Sequence, residues 1–127
     1  ALHFINAQQD NPYNSQNQVI NSVVEDILSI IKYSFHIVYD KEDTSYTRCV
    51  THLRLFAQRL MKGEMMPDER NTLLYRQIME TWERECVEKI GVYVRERFKV
   101  SITDQEELYL TLHIHRVMDT IQQKGQV

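Results

Sequence analysis

Thr51-His52-Leu53-Arg54-Leu55-Phe56-Ala57-Gln58-Arg59 and Tyr109-Leu110-Thr111-Leu112-His113-Ile114-His115-Arg116 decide how this chain is read. Each string sets a histidine inside a run of apolar and helix-forming residues, with no glycine or proline to interrupt it. Around the first string, Tyr46, Cys49, Val50, Leu53, Phe56, Ala57 and Leu60 recur at helical spacing and share one arc. The second string is preceded by Thr103-Asp104-Gln105-Glu106. That pattern predicts a capping box, in which the threonine oxygen and the glutamate carboxylate reciprocally satisfy free backbone N–H groups.

Working outward, the same periodicity predicts five helices, over about 17–33, 45–61, 69–80, 82–98 and 103–122. In the first, Val19, Ile20, Val23, Val24, Ile27, Leu28, Ile30 and Ile31 make the apolar face. Residues 40–44 read as a turn, and Gly63 and Pro67 bracket a loop. No glycine or proline marks the junction near Trp82. With only three glycines and two prolines, and no sustained alternation at period two, the expected fold is all-α, a compact five-helix bundle. Residues 9–16 are rich in Asn, Gln, Asp, Pro and Ser and read as a linker, which leaves 17–124 as the domain.

Composition narrows the function. A length of 127 residues fits one domain, and 43% hydrophobic content supports a core. A net charge of -3 argues against this piece gripping a phosphate backbone by itself. No apolar run approaches the roughly 20 residues of a membrane span, and no secretory signal is visible. Cys49 and Cys86 form no C-x-x-C pair, so neither zinc nor redox chemistry is suggested. Buried free thiols in a reducing cytoplasm are the expectation, a disulfide the alternative. There is no Gly-rich phosphate loop, no G-x-S-x-G elbow and no H-E-x-x-H. Glu80, Glu83 and Glu85 read as an exposed helical face, so no enzyme, metal or cofactor is implied.

The histidines are more informative. His52 lies just outside the apolar arc of its helix, with Arg59 on nearly the same line and Arg48 one turn before it. A neutral imidazole there could take a phosphoryl group and the guanidinium groups could pair with it, but a histidine that merely caps the core fits the same geometry. The last helix is apolar on two sides, Leu108 and Leu112 against Leu110, Ile114, Val117 and Ile121, and so should be sandwiched between neighbours. His113 falls on the seam between them, in line with Glu106 and flanked by Tyr109 and Arg116. His115 points roughly 200° away, so the two cannot chelate one metal. His36, at the end of the first helix, reads as an ordinary surface or packing residue.

Over most of its length the chain resembles the PTS regulation domain (PRD), and the two histidine strings carry the resemblance. PRDs are phosphorylatable control modules of transcriptional antiterminators of the BglG/SacY/LicT type. They answer to the bacterial sugar phosphotransferase system, the PTS. The resemblance implies a second PRD of a tandem pair, with His52 and His113 as phosphoryl acceptors and Arg48 and Arg59 as candidate phosphate partners. Leu2-His3-Phe4-Ile5 echoes Leu112-His113-Ile114-His115, which implies that residues 1–8 are the tail of the preceding PRD and His3 its acceptor. The implied partners are HPr or a sugar-specific enzyme II as donor, a second copy in a homodimer, and RNA only through a separate N-terminal domain. PRDs often carry Asn-Pro-Leu near the third helix; here the stretch reads Asn71-Thr72-Leu73-Leu74. Two other readings stand beside this one: a PRD from a DNA-binding activator, and a helical dimerisation module without phosphorylation.

Overall fold

The computed structural model of the chain describes residues 12–69 and 72–125. Five helices make up the described part: α1 (Pro12–Phe35), α2 (Thr44–Lys62), α3 (Thr72–Met79), α4 (Arg84–Phe98) and α5 (Asp104–Gly125). No strand occurs among the described residues. Residues 1–11, with His3 and the expected domain tail, lie outside them.

In α1, Ile20, Val23, Val24, Ile27 and Ile31 are buried, and their spacing of three and four residues lines one face. So many β-branched residues lower intrinsic helix propensity; burial of the face against α2 and α4 overrides it. The helix starts earlier than the sequence suggested. Residues 12–16, expected as linker, belong to its opening turns. Pro12 is the reason: a proline in the first helical position has φ already set and needs no intrahelical N–H bond.

α2 is defined at both ends. The Asp43 carboxylate accepts from Ser45 N–H at 2.8 Å, the usual N-cap bond. At the other end Gly63 adopts φ 67° and its N–H reaches the carbonyls of Arg59 and Leu60. Between these caps Cys49, Leu53, Phe56, Ala57 and Leu60 are buried. α4 buries Cys86, Val87, Ile90 and Val94 and ends on a left-handed Lys99 at φ 60°. Both cysteines are free and buried.

α5 is the axis of the bundle, packing on α2, α3 and α4. Leu110, Ile114, Val117 and Met118 face the core. Its second apolar side is not enclosed, for Leu112 stays 43% exposed. Among the described residues the expected sandwich is therefore closed on one side only. The expected capping box is also half formed. Thr103 Oγ1 accepts from Glu106 N–H at 3.3 Å, but the Glu106 carboxylate turns inward to Arg59 and to the Met66 N–H. A bidentate guanidinium is a stronger partner than one backbone N–H, and it wins.

Candidate functional site

The packing of α5 on α2 brings the two histidine strings together. The rings of His52 and His113 stack, with centroids 3.6 Å apart and planes 16° from parallel. Tyr109 stands edge-on to both, 5.7 Å from His52 and 4.5 Å from His113. Its hydroxyl lies 2.9 Å from His52 Nδ1 and donates to the His52 carbonyl at 3.1 Å. The Arg59 guanidinium covers the Tyr109 ring at 4.5 Å and holds the Glu106 carboxylate through two bonds of 2.8 and 2.7 Å. Glu106 is fully buried, and the Met66 N–H at 3.1 Å gives it a further donor.

On the outer side of the stack lies a pocket of about 280 Å³. His52 and His113 form one wall, Arg48 and Arg116 supply cations, Asp119 a single carboxylate, and Thr44 and Ser45 hydroxyl groups from the first turn of α2. The electrostatics favour neutral imidazoles. His113 is 9% exposed, and this burial, with His52, Arg116 and Arg59 nearby, lowers its pKa to about 4. Burial first, then Arg116, Arg48 and Arg59, also pull His52 below the ordinary histidine value. A neutral imidazole has a lone pair to offer an electrophile. Cys49, in the same wall, is no competitor: burial pushes its thiol up to about 12.

The fate of each singled-out residue differs. His52, His113 and Arg48 meet at the pocket. Arg59 does not line it; Glu106 holds its guanidinium over the Tyr109 ring instead. The second arginine of the pocket is Arg116, which the sequence reading passed over as a phosphate partner. Its position three residues after His113, on the same helix face, was the available signal. His36, just past α1, has φ 54° and is exposed. His115 makes a site of its own: its Nδ1 is 2.5 Å from Glu83 Oε1. Glu83, expected on an exposed face, is fully buried. It precedes α4 in the turn after α3, so helical periodicity could not place it. Among the described residues, no group of three or more His, Cys, Asp or Glu could hold a metal ion, and no helix is long and apolar enough to cross a membrane.

The family model for the PRD domain matches residues 25–117, which include both stacked histidines. The chain is 40% identical over 122 residues to the transcription antiterminator LicT of Bacillus subtilis, covering 93% of this chain and 43% of that protein. It is 34% identical over 126 residues to a beta-glucoside operon antiterminator of Dickeya chrysanthemi, covering 98% of this chain and 44% of that one. A PtsGHI operon antiterminator of Bacillus subtilis is 25% identical over 121 residues, 95% of this chain and 43% of the relative. The chain thus spans less than half the length of the curated relatives it matches. It belongs to the PRD domain family.

Proposed function

We propose that this PRD is the phosphorylatable control unit of a bacterial transcriptional antiterminator, with His52 and His113 as phosphoryl acceptors. The observation that carries the reading is the stacked, neutral histidine pair in a pocket walled by Arg48 and Arg116. The donors would be the phosphorylated HPr or a sugar-specific enzyme II of the PTS. Output would pass through a homodimer contact to an RNA-binding domain.

The physical core is a change of charge sign. Two arginines against one aspartate leave the pocket with one net positive charge when the imidazoles are neutral. A phosphoryl group adds roughly -1.5 to -2 charges, which reverses that sign. It also brings three acceptor oxygens within reach of the two guanidinium forks. At 3.6 Å the two rings leave no room for a phosphoryl group between them, so the group either projects into the pocket or parts the stack. Either outcome alters the surface around α5, where Leu112 is exposed, and a dimer contact there would respond. The similarity to antiterminators favours an RNA output over a DNA-binding one. The test is incubation with phosphoenolpyruvate, enzyme I and HPr, with and without a sugar-specific enzyme II, followed by mapping of phosphohistidine to peptides. The reading expects phosphate on the peptides of His52 and His113; an unlabelled chain with every donor contradicts it.

A further inference from the structure

The Tyr109 hydroxyl has one proton; beside it stand the Arg59 guanidinium, which can only donate, and two atoms of one residue, the carbonyl oxygen of His52 at 3.1 Å and its Nδ1 at 2.9 Å. A carbonyl oxygen can only accept, so that contact uses the phenolic proton. The contact with Nδ1 then needs its proton from the ring, and His52 is the Nδ1–H tautomer, donating to the phenolic oxygen. Nε2 consequently carries the lone pair, and it has no hydrogen-bond partner among the described residues.

We infer that Tyr109 is a positioning residue that fixes His52 in the Nδ1–H tautomer and so makes Nε2 the atom that takes the phosphoryl group. This rests on the acceptor reading above and adds to it the attacking atom and the residue that selects it. Tyr109 is itself held. The Arg59 guanidinium lies over its ring at 4.5 Å, and the buried Glu106 fixes Arg59 by two bonds. The edge of Tyr109 against His113 at 4.5 Å closes the arrangement from the other side. A line of contacts thus runs from a fully buried carboxylate to the orientation of one imidazole. It also gives Arg59 a role at the site despite its distance from the pocket.

The transfer step balances without proton movement. The Nε2 lone pair of neutral His52 attacks the phosphorus of a protonated phosphohistidine donor. The Nε2–P bond forms as the donor N–P bond breaks, and that electron pair returns to the donor imidazole, which leaves neutral. The Nδ1 proton stays on His52, bonded to the Tyr109 oxygen. The product ring carries the positive charge that the donor ring has given up.

The first test uses the 127-residue chain with 15N-labelled histidine and no donor. Long-range proton–nitrogen correlation spectra report which ring nitrogen bears hydrogen. The wild type is expected to show His52 mainly as Nδ1–H, and Tyr109→Phe, which keeps the ring and its stacking, to shift it toward Nε2–H. Phosphorylation then reads the consequence. The wild type gives the Nε2 phosphohistidine isomer at His52, and Tyr109→Phe slows its formation roughly five- to tenfold, the equivalent of one neutral hydrogen bond. A His52 that is Nε2–H in the wild type overturns the inference, as does phosphate on Nδ1, or a tautomer unchanged in Tyr109→Phe. Because the wild-type spectrum needs no variant, a misfolded Tyr109→Phe does not protect the idea. A wild type that is Nδ1–H yet takes no phosphate on His52 overturns the acceptor reading and the use of Nε2 with it, while the tautomer spectrum separates that failure from the others.

Discussion

Neutral imidazole is the form of His113 that the fold stabilises, and this makes stability depend on pH in a definite direction. Burial, then His52, Arg116 and Arg59, lower its pKa from 6.5 to about 4. Between those values the unfolded chain binds more protons than the folded one. The contribution is therefore complete above pH 6.5 and is lost as pH falls toward 4, a difference of about 3 kcal/mol. Urea unfolding at several pH values should show the wild type losing more stability over this window than His113→Asn; parallel curves would contradict it. Arg59 gives a second expectation at the same scale. Its removal leaves the fully buried Glu106 carboxylate without its bidentate partner. Arg59→Ala should cost about 3–5 kcal/mol, whereas Arg59→Met with Glu106→Leu should recover most of that loss. Equal denaturation midpoints for the single and double variants would show that the ion pair is not what holds this seam. These residues also mark where sequence reading stopped. The spacing of Arg59 put it on the line of His52, but only tertiary packing shows that it faces Glu106 and supports Tyr109.

The helices themselves were largely legible, because their apolar residues recur every three or four positions, and α2 also carries a cap signal at each end. Asp43 and Gly63 delimit α2 within a residue of the expected bounds. Gly63 sits at φ 67° with open space around a would-be Cβ, so Gly63→Ala introduces backbone strain without a clash. A loss of ~1 kcal/mol in thermal or urea unfolding is expected; an unchanged or raised midpoint would contradict it. What periodicity missed lies at the ends and between helices. Pro12 begins α1 rather than keeping a linker extended, since one proline suits either role until the residues after it are placed. The Thr103 capping box was legible as a pattern, yet its glutamate had a better partner in a distant helix. Glu83 is buried against His115 from a turn, where no helical face exists to predict its side.

At the scale of the whole molecule, α5 presents Leu112 outward while its other side is core, and the histidine pocket lies between α2 and that same helix. A charge placed in the pocket and an association through α5 should therefore be coupled. Sedimentation of the wild type and of the His52→Asp, His113→Asp variant should give different association constants. Two strictly monomeric proteins at high micromolar concentration would remove the dimer from the account. The central claim is chemical, and its test is phosphoryl transfer. Labelled phosphoenolpyruvate, enzyme I and HPr, with a sugar-specific enzyme II where needed, are supplied to the wild type, His52→Ala, His113→Ala and the double variant. His52 is half-buried and His113 buried, so label should reach His52 first, each single variant should lose one labelled peptide, and the double variant should take none. A double variant labelled as fully as the wild type would contradict the assignment of the stacked histidines as the acceptors.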